Sequence, residues 1–157
     1  MLGLNAAANI SVEAGDNMDA SAHRNWLWAA ILVGLVYVAA GIIFGALSGA
    51  AASSQMRVAW RLAAWLASAI AFAAHIRYEH LKLRNSPLVT ALHASAAVAL
   101  GAFGLAVAAN IHAQLVASSQ HRLLIIALVA WPVLTAIPAF VVALAAAAAF
   151  ARMRRSV

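Results

Sequence analysis

Twenty-two consecutive residues without a charge, Trp26 to Leu47 (WLWAAILVGLVYVAAGIIFGAL), constrain this chain more than any motif in it. As a helix rising about 1.5 Å per residue, the run reaches about 33 Å, enough to cross a hydrocarbon core of about 30 Å. Lipid offers the backbone no hydrogen bonds, so such a run must satisfy its own N–H and C=O groups and is helical. The rest of the chain is of the same kind: 66% of the 157 residues are hydrophobic, 9% are charged and the mean hydropathy is +0.93. Soluble domains are about 45–50% apolar and about 25% charged. A compact domain of this length buries only about 70% of its unfolded surface, so much of this apolar material must face lipid.

Three further runs repeat the pattern at Val58–Ile76, Leu88–Val116 and Leu123–Ala151. The expected fold is an all-α membrane protein with four transmembrane helices in an antiparallel bundle with short loops. Its spans lie at about 26–47, 58–76, 88–116 and 123–151, within one membrane domain over 25–151. Residues 1–24 are expected to form a polar N-terminal tail and 152–157 a basic C-terminal tail. The second run is the weakest, because it holds Arg61, which must snorkel to the interface. Trp60 and Trp65 at that end suit an aromatic belt. Trp131-Pro132 and Pro138 are expected to bend the fourth helix.

Between the runs, Ser48–Gln55 (SGAAASSQ) predicts a turn, and Arg77–Asn85 (RYEHLKLRN) predicts the main loop, with Pro87 opening the next helix. Four spans put Arg24, Arg77, Lys82, Arg84, Arg152, Arg154 and Arg155 on one side and Arg57, Arg61 and Arg122 on the other. Seven against three predicts both termini in the cytoplasm, in a bacterial-type inner membrane.

A net charge of +6 would raise nucleic-acid binding in a soluble protein, but these cations sit at the ends of apolar runs and no basic stripe is interleaved with aromatics. The expected partners are the lipid bilayer and further membrane subunits or copies of the chain, with no nucleic acid. The absence of cysteine excludes disulfides, thiolate metal sites and Fe–S clusters within the chain. Residues 1–24 hold Glu13, Asp16 and Asp19 with no earlier Lys or Arg, the wrong charge for a signal-peptide n-region. No GxSxG, Gly-rich phosphate loop or catalytic dyad pattern is present, so catalysis is not expected.

The glycines Gly41, Gly45 and Gly49 form two overlapping GxxxG units, and Gly101 and Gly104, flanked by Ala97 and Ala108, resemble them on the third run. Small residues at that spacing allow close backbone approach, so Gly45→Leu is expected to disturb assembly or folding. The densest polar constellation is His75, Glu79 and His80 (HIRYEH), to which His93 returns on the same membrane side. If the second helix continues one more turn, His75 and Glu79 share a face. Such a set could ligate a divalent metal, and His75 with His93 could clasp a haem. His112 and His121 form a second-side pair, about 28 Å from His93 along the helix in the case of His112. The spacing is neither HExxH nor that of di-iron bundles, so no cofactor is favoured, and structural or headgroup-facing histidines are the simpler expectation.

The expected function is a packing subunit of a homo-oligomer or larger membrane complex, without catalysis of its own. The alternatives are an oligomeric channel or transporter with a His-lined cytoplasmic rim, and a haem- or metal-binding redox protein. Familiar cation antiport is disfavoured because Glu79, the one carboxylate outside the tail, is expected in a loop rather than at membrane depth.

Overall fold

The computed structural model describes the backbone of residues 2–115 and 121–155 and the side chains of residues 26–115 and 122–153. The described residues form four helices: α1 (Leu2–Gly49), α2 (Ser54–Tyr78), α3 (Pro87–Leu115) and α4 (His121–Arg155). A π-turn, Glu79–Leu83, extends α2. All four are long and apolar enough to cross a membrane, over Trp26–Gly49, Ser54–Leu83, Pro87–Leu115 and Arg122–Met153. The fold is the expected four-helix bundle in which successive helices reverse direction.

Element boundaries differ from the sequence expectation in one consistent direction, because polar residues continue helices. The α1 backbone is helical from Leu2, through the segment expected as a tail, and α4 runs on to Arg155. The first turn shrinks to residues 50–53, with Ser53 capping α2 by accepting a hydrogen bond from the Met56 amide at 3.2 Å. The largest correction concerns the expected loop Arg77–Asn85, most of which is helix. Only residues 84–86 connect α2 to α3, and Ser86 caps α3 by accepting from Val89 N–H at 3.3 Å. Val116 lies outside the described residues.

Arg84 ends the π-turn in the left-handed region, at φ 51° and ψ 31°, and its amide donates back to the carbonyl of Glu79. That conformation costs a non-glycine residue about 1–2 kcal/mol. Arg84→Gly is therefore expected to stabilise the protein by about 1 kcal/mol, read as a higher unfolding midpoint in detergent.

Packing is uneven. Helices α3 and α4 share the most extensive contact, through alanines: Ala91, Ala94 and Ala143 are fully buried and join Ile76 in the core. Asn110 ties the far end of the pair by donating to the carbonyls of Ala106 and, at 2.8 Å, Leu124 on α4. Both prolines lie inside α4, which runs unbroken through them, and the Thr135 hydroxyl donates to the Trp131 carbonyl at 2.9 Å.

Between α1 and α3 the glycines meet. A Cβ on Gly101 would sit 2.7 Å from Cβ of Tyr37, and one on Gly34 would sit 3.3 Å from Cβ of Leu100. Gly41 faces Leu105 and Gly104 faces Val38. Gly45 and Gly49 face open space. Of the first three glycines, Gly41 thus packs within the bundle, while a Cβ at Gly45 or Gly49 would meet no other atom within 4 Å. Helix α2 packs mainly on α1 and meets α3 and α4 much less, with Phe72 and Ile76 joining the alanine core. A cavity parts α2 from α4 over residues 64–72 of α2.

Candidate functional site

At the end of α2, its helical continuation carries a polar group inward. Glu79 is fully buried, and His75 and His80 are 3% and 8% exposed. The expected loop carboxylate is thus a buried residue of a helical turn, and the two histidines beside it lie inside the bundle. Arg61 and Glu79 are 18 residues apart on one continuous helical element, about 27 Å at 1.5 Å per residue. That separation is close to the thickness of a hydrocarbon core, about 30 Å.

Glu79 is held asymmetrically. Its Oε2 accepts from Nδ2 of Asn85 and from Nδ1–H of His93, the latter at 3.0 Å, while Oε1 is buried with no partner. The His93 ring stacks on Trp26 of α1, with centroids 4.2 Å apart and planes 10° from parallel. Its position on α3 brings it to the carboxylate because the short 84–86 connection folds α3 back against the π-turn. His80 packs against Phe150 of α4, so all four helices contribute to the cluster. Further polar atoms there are buried and unpartnered: Nε2 of His75, both ring nitrogens of His80 and Oγ1 of Thr90. Leaving such atoms unmatched costs about 1–3 kcal/mol each, so the cluster is retained at the expense of stability.

The structure therefore joins His75, Glu79, His80 and His93, the four residues the sequence singled out. Sequence reasoning missed Asn85, Thr90, Trp26 and Phe150. Asn85, next to the Ser86-Pro87 helix start, was the one with a local signal. His112 is exposed at the other end of α3, and His121 begins α4 with its side chain outside the described residues. Among the described residues no set of three or more His, Cys, Asp or Glu side chains is arranged to hold a metal ion.

Away from this cluster, the split between α2 and α4 encloses a cavity of about 540 Å³ with residues of all four helices in its wall. Its lining is mostly apolar and aromatic, with Trp65, Phe72 and Trp131, and includes the hydroxyls of Tyr37, Ser68 and Thr135. The Tyr37 hydroxyl is buried without a partner. A second cleft of about 530 Å³ shares Gly41, Ala64 and Trp65 with this cavity and adds Ser48, Arg57 and Arg61. The open space at Gly45 and Gly49 belongs to this mouth.

Fold and site together define a four-helix integral membrane protein with a buried carboxylate at one end of the bundle and a separate cavity between its helices. Compared with protein-family models, curated proteins and solved structures, the chain matches none.

Proposed function

We propose that this chain is a small membrane transporter for an amphipathic organic anion, with the α2–α4 split as its path and the polar end of the bundle as its closed gate. One observation carries the reading: a cleft lined by Arg57 and Arg61 adjoins, through Gly41, Ala64 and Trp65, an aromatic cavity walled by all four helices. A passive packing subunit has no need of a cavity reached through all four helices, whereas a ligand site is typically a largely apolar concavity with a few placed polar groups.

The charge of the mouth selects the solute. Arg57 and Arg61 are one turn apart on α2 and make no ion pair among the described residues. Glu79, the sole carboxylate among the residues with described side chains, is at the other end of the helix. Two uncompensated cations beside an apolar cavity suit an apolar body carrying a sulfonate, carboxylate or phosphate. The orientation bias of the cations favours termini in the cytoplasm of a bacterial-type inner membrane, so the mouth opens to the other side.

Efflux of 2-naphthalenesulfonate from proteoliposomes tests the reading, since its permanent charge keeps it from leaking through lipid. Saturable efflux is expected, and Arg57→Gln with Arg61→Gln lowers it several-fold. Efflux no faster than from protein-free vesicles, or indifferent to the double substitution, removes the proposal.

A second reading, the packing subunit of a homo-oligomer or larger membrane complex, has support in Gly45 and Gly49. Their missing side chains leave a smooth open face on which a helix of a second copy or another subunit can seat.

A further inference from the structure

We infer that Glu79 is a proton-loading site, filled from the membrane surface through His93 and bordered on its inner side by His75. The inference uses the polar end of the bundle and not the α2–α4 cavity, so absence of anion flux leaves it standing.

The first argument is the choice of partner. A buried carboxylate can be pinned by an arginine, whose guanidinium keeps its charge at every relevant pH. Here the ion-pair partner is an imidazole at 3.0 Å, the side chain whose own charge changes near neutrality. His93 is also the way in. Its side chain is 16% exposed while that of Glu79 is fully buried, and Trp26 stacked on the ring holds it in place.

The second argument is the pattern of unmatched atoms. Oε2 takes both available donors, from Asn85 and His93, and Oε1 takes none. Nε2 of His75 and the two ring nitrogens of His80 are buried close by without partners. A proton on Oε2 lets the carboxyl donate to His93 as well as accept from Asn85.

The step balances without any co-reactant beyond a proton from water. A proton binds Nε2 of His93, giving an imidazolium. Its Nδ1–H bond breaks as an O–H bond forms on Oε2 of Glu79. Imidazolium returns to neutral imidazole with its hydrogen on Nε2, and carboxylate becomes carboxylic acid. Unloading is the reverse, or transfer to His75, which lies one turn deeper on the same face of α2.

The other groups packed around the site leave this exchange to the imidazoles. Asn85 and Thr90 do not titrate, Trp26 comes from α1 and Phe150 from α4, and Arg77, Lys82, Arg84 and Arg152 are exposed. The strained connection at Arg84 and the π-turn are the local cost of turning Glu79 inward.

The test is pH-difference infrared spectroscopy of the full-length protein in lipid. A carboxylic C=O band that appears on acidification in wild type and is missing in Glu79→Gln is the expected result. The double difference removes the contributions of Glu13, Asp16 and Asp19. Glu79→Asp keeps a titrating band, and His93→Gln moves the pH at which the wild-type band appears. Identical difference spectra for wild type and Glu79→Gln overturn the inference, as does a band indifferent to His93→Gln. Should Glu79→Gln fail to fold, the shift between wild type and Glu79→Asp decides: an unchanged spectrum overturns it equally.

Discussion

Gly101→Leu is expected to prevent folding or to cost more than about 3 kcal/mol, while Gly45→Leu changes stability by less than about 0.5 kcal/mol. The two glycines look alike in sequence. A Cβ at Gly101 meets Cβ of Tyr37 at 2.7 Å, its Cδ2 at 3.0 Å and the Gly34 carbonyl at 3.2 Å. Neither a Cβ nor a backbone carbonyl can rotate away, so α1 and α3 must separate and release the Ala97 and Gly104 contacts with them. A Cβ at Gly45 meets nothing within 4 Å. Reversible unfolding in mixed micelles measures both. The same Gly45→Leu protein, folded, is a probe of function: leucine fills the mouth beside Arg57 and Arg61, so flux falls without loss of stability, and an oligomer seated on that face comes apart.

His93→Ala carries the second large effect, a loss of about 3–5 kcal/mol, because it leaves a fully buried carboxylate with Asn85 as its sole donor. Loss of the stacked Trp26 contact contributes about 0.5–1.5 kcal/mol of that. Glu79→Leu, by contrast, is expected to be neutral or stabilising by about 1–4 kcal/mol, since it removes the charge and the unmatched Oε1 together. A double-mutant cycle over the two positions measures the coupling, and independence of the two effects would show that the 3.0 Å pair carries none. A carboxylate whose removal stabilises the protein is kept for what it does.

The candidate cluster was legible in part. HIRYEH and His93 named the right four side chains, and the i,i+4 spacing placed His75 and Glu79 on one face. Their burial was not legible, because RYEHLKLRN is polar residue by residue and reads as a loop. The structure continues it as helix because Ile76 and Phe72 anchor the preceding turn in the alanine core, and inward polar atoms find Asn85 and His93. For Arg61 the sequence predicts interface snorkelling; the cleft beside it and Arg57 is formed by the packing of α1 against α2 and has no local signal in the sequence.

What the sequence determined by itself is the solvent and the number of helices. Transfer into lipid is close to a sum over residues, so apolar length suffices. What only the tertiary structure decided is which glycines are contacts and which are openings, that α2 parts from α4, and that Glu79 is buried. Those depend on the rotation and register of whole helices against one another. Helices apolar on every side, such as α3 and α4, carry almost no amphipathic asymmetry to announce which face turns inward.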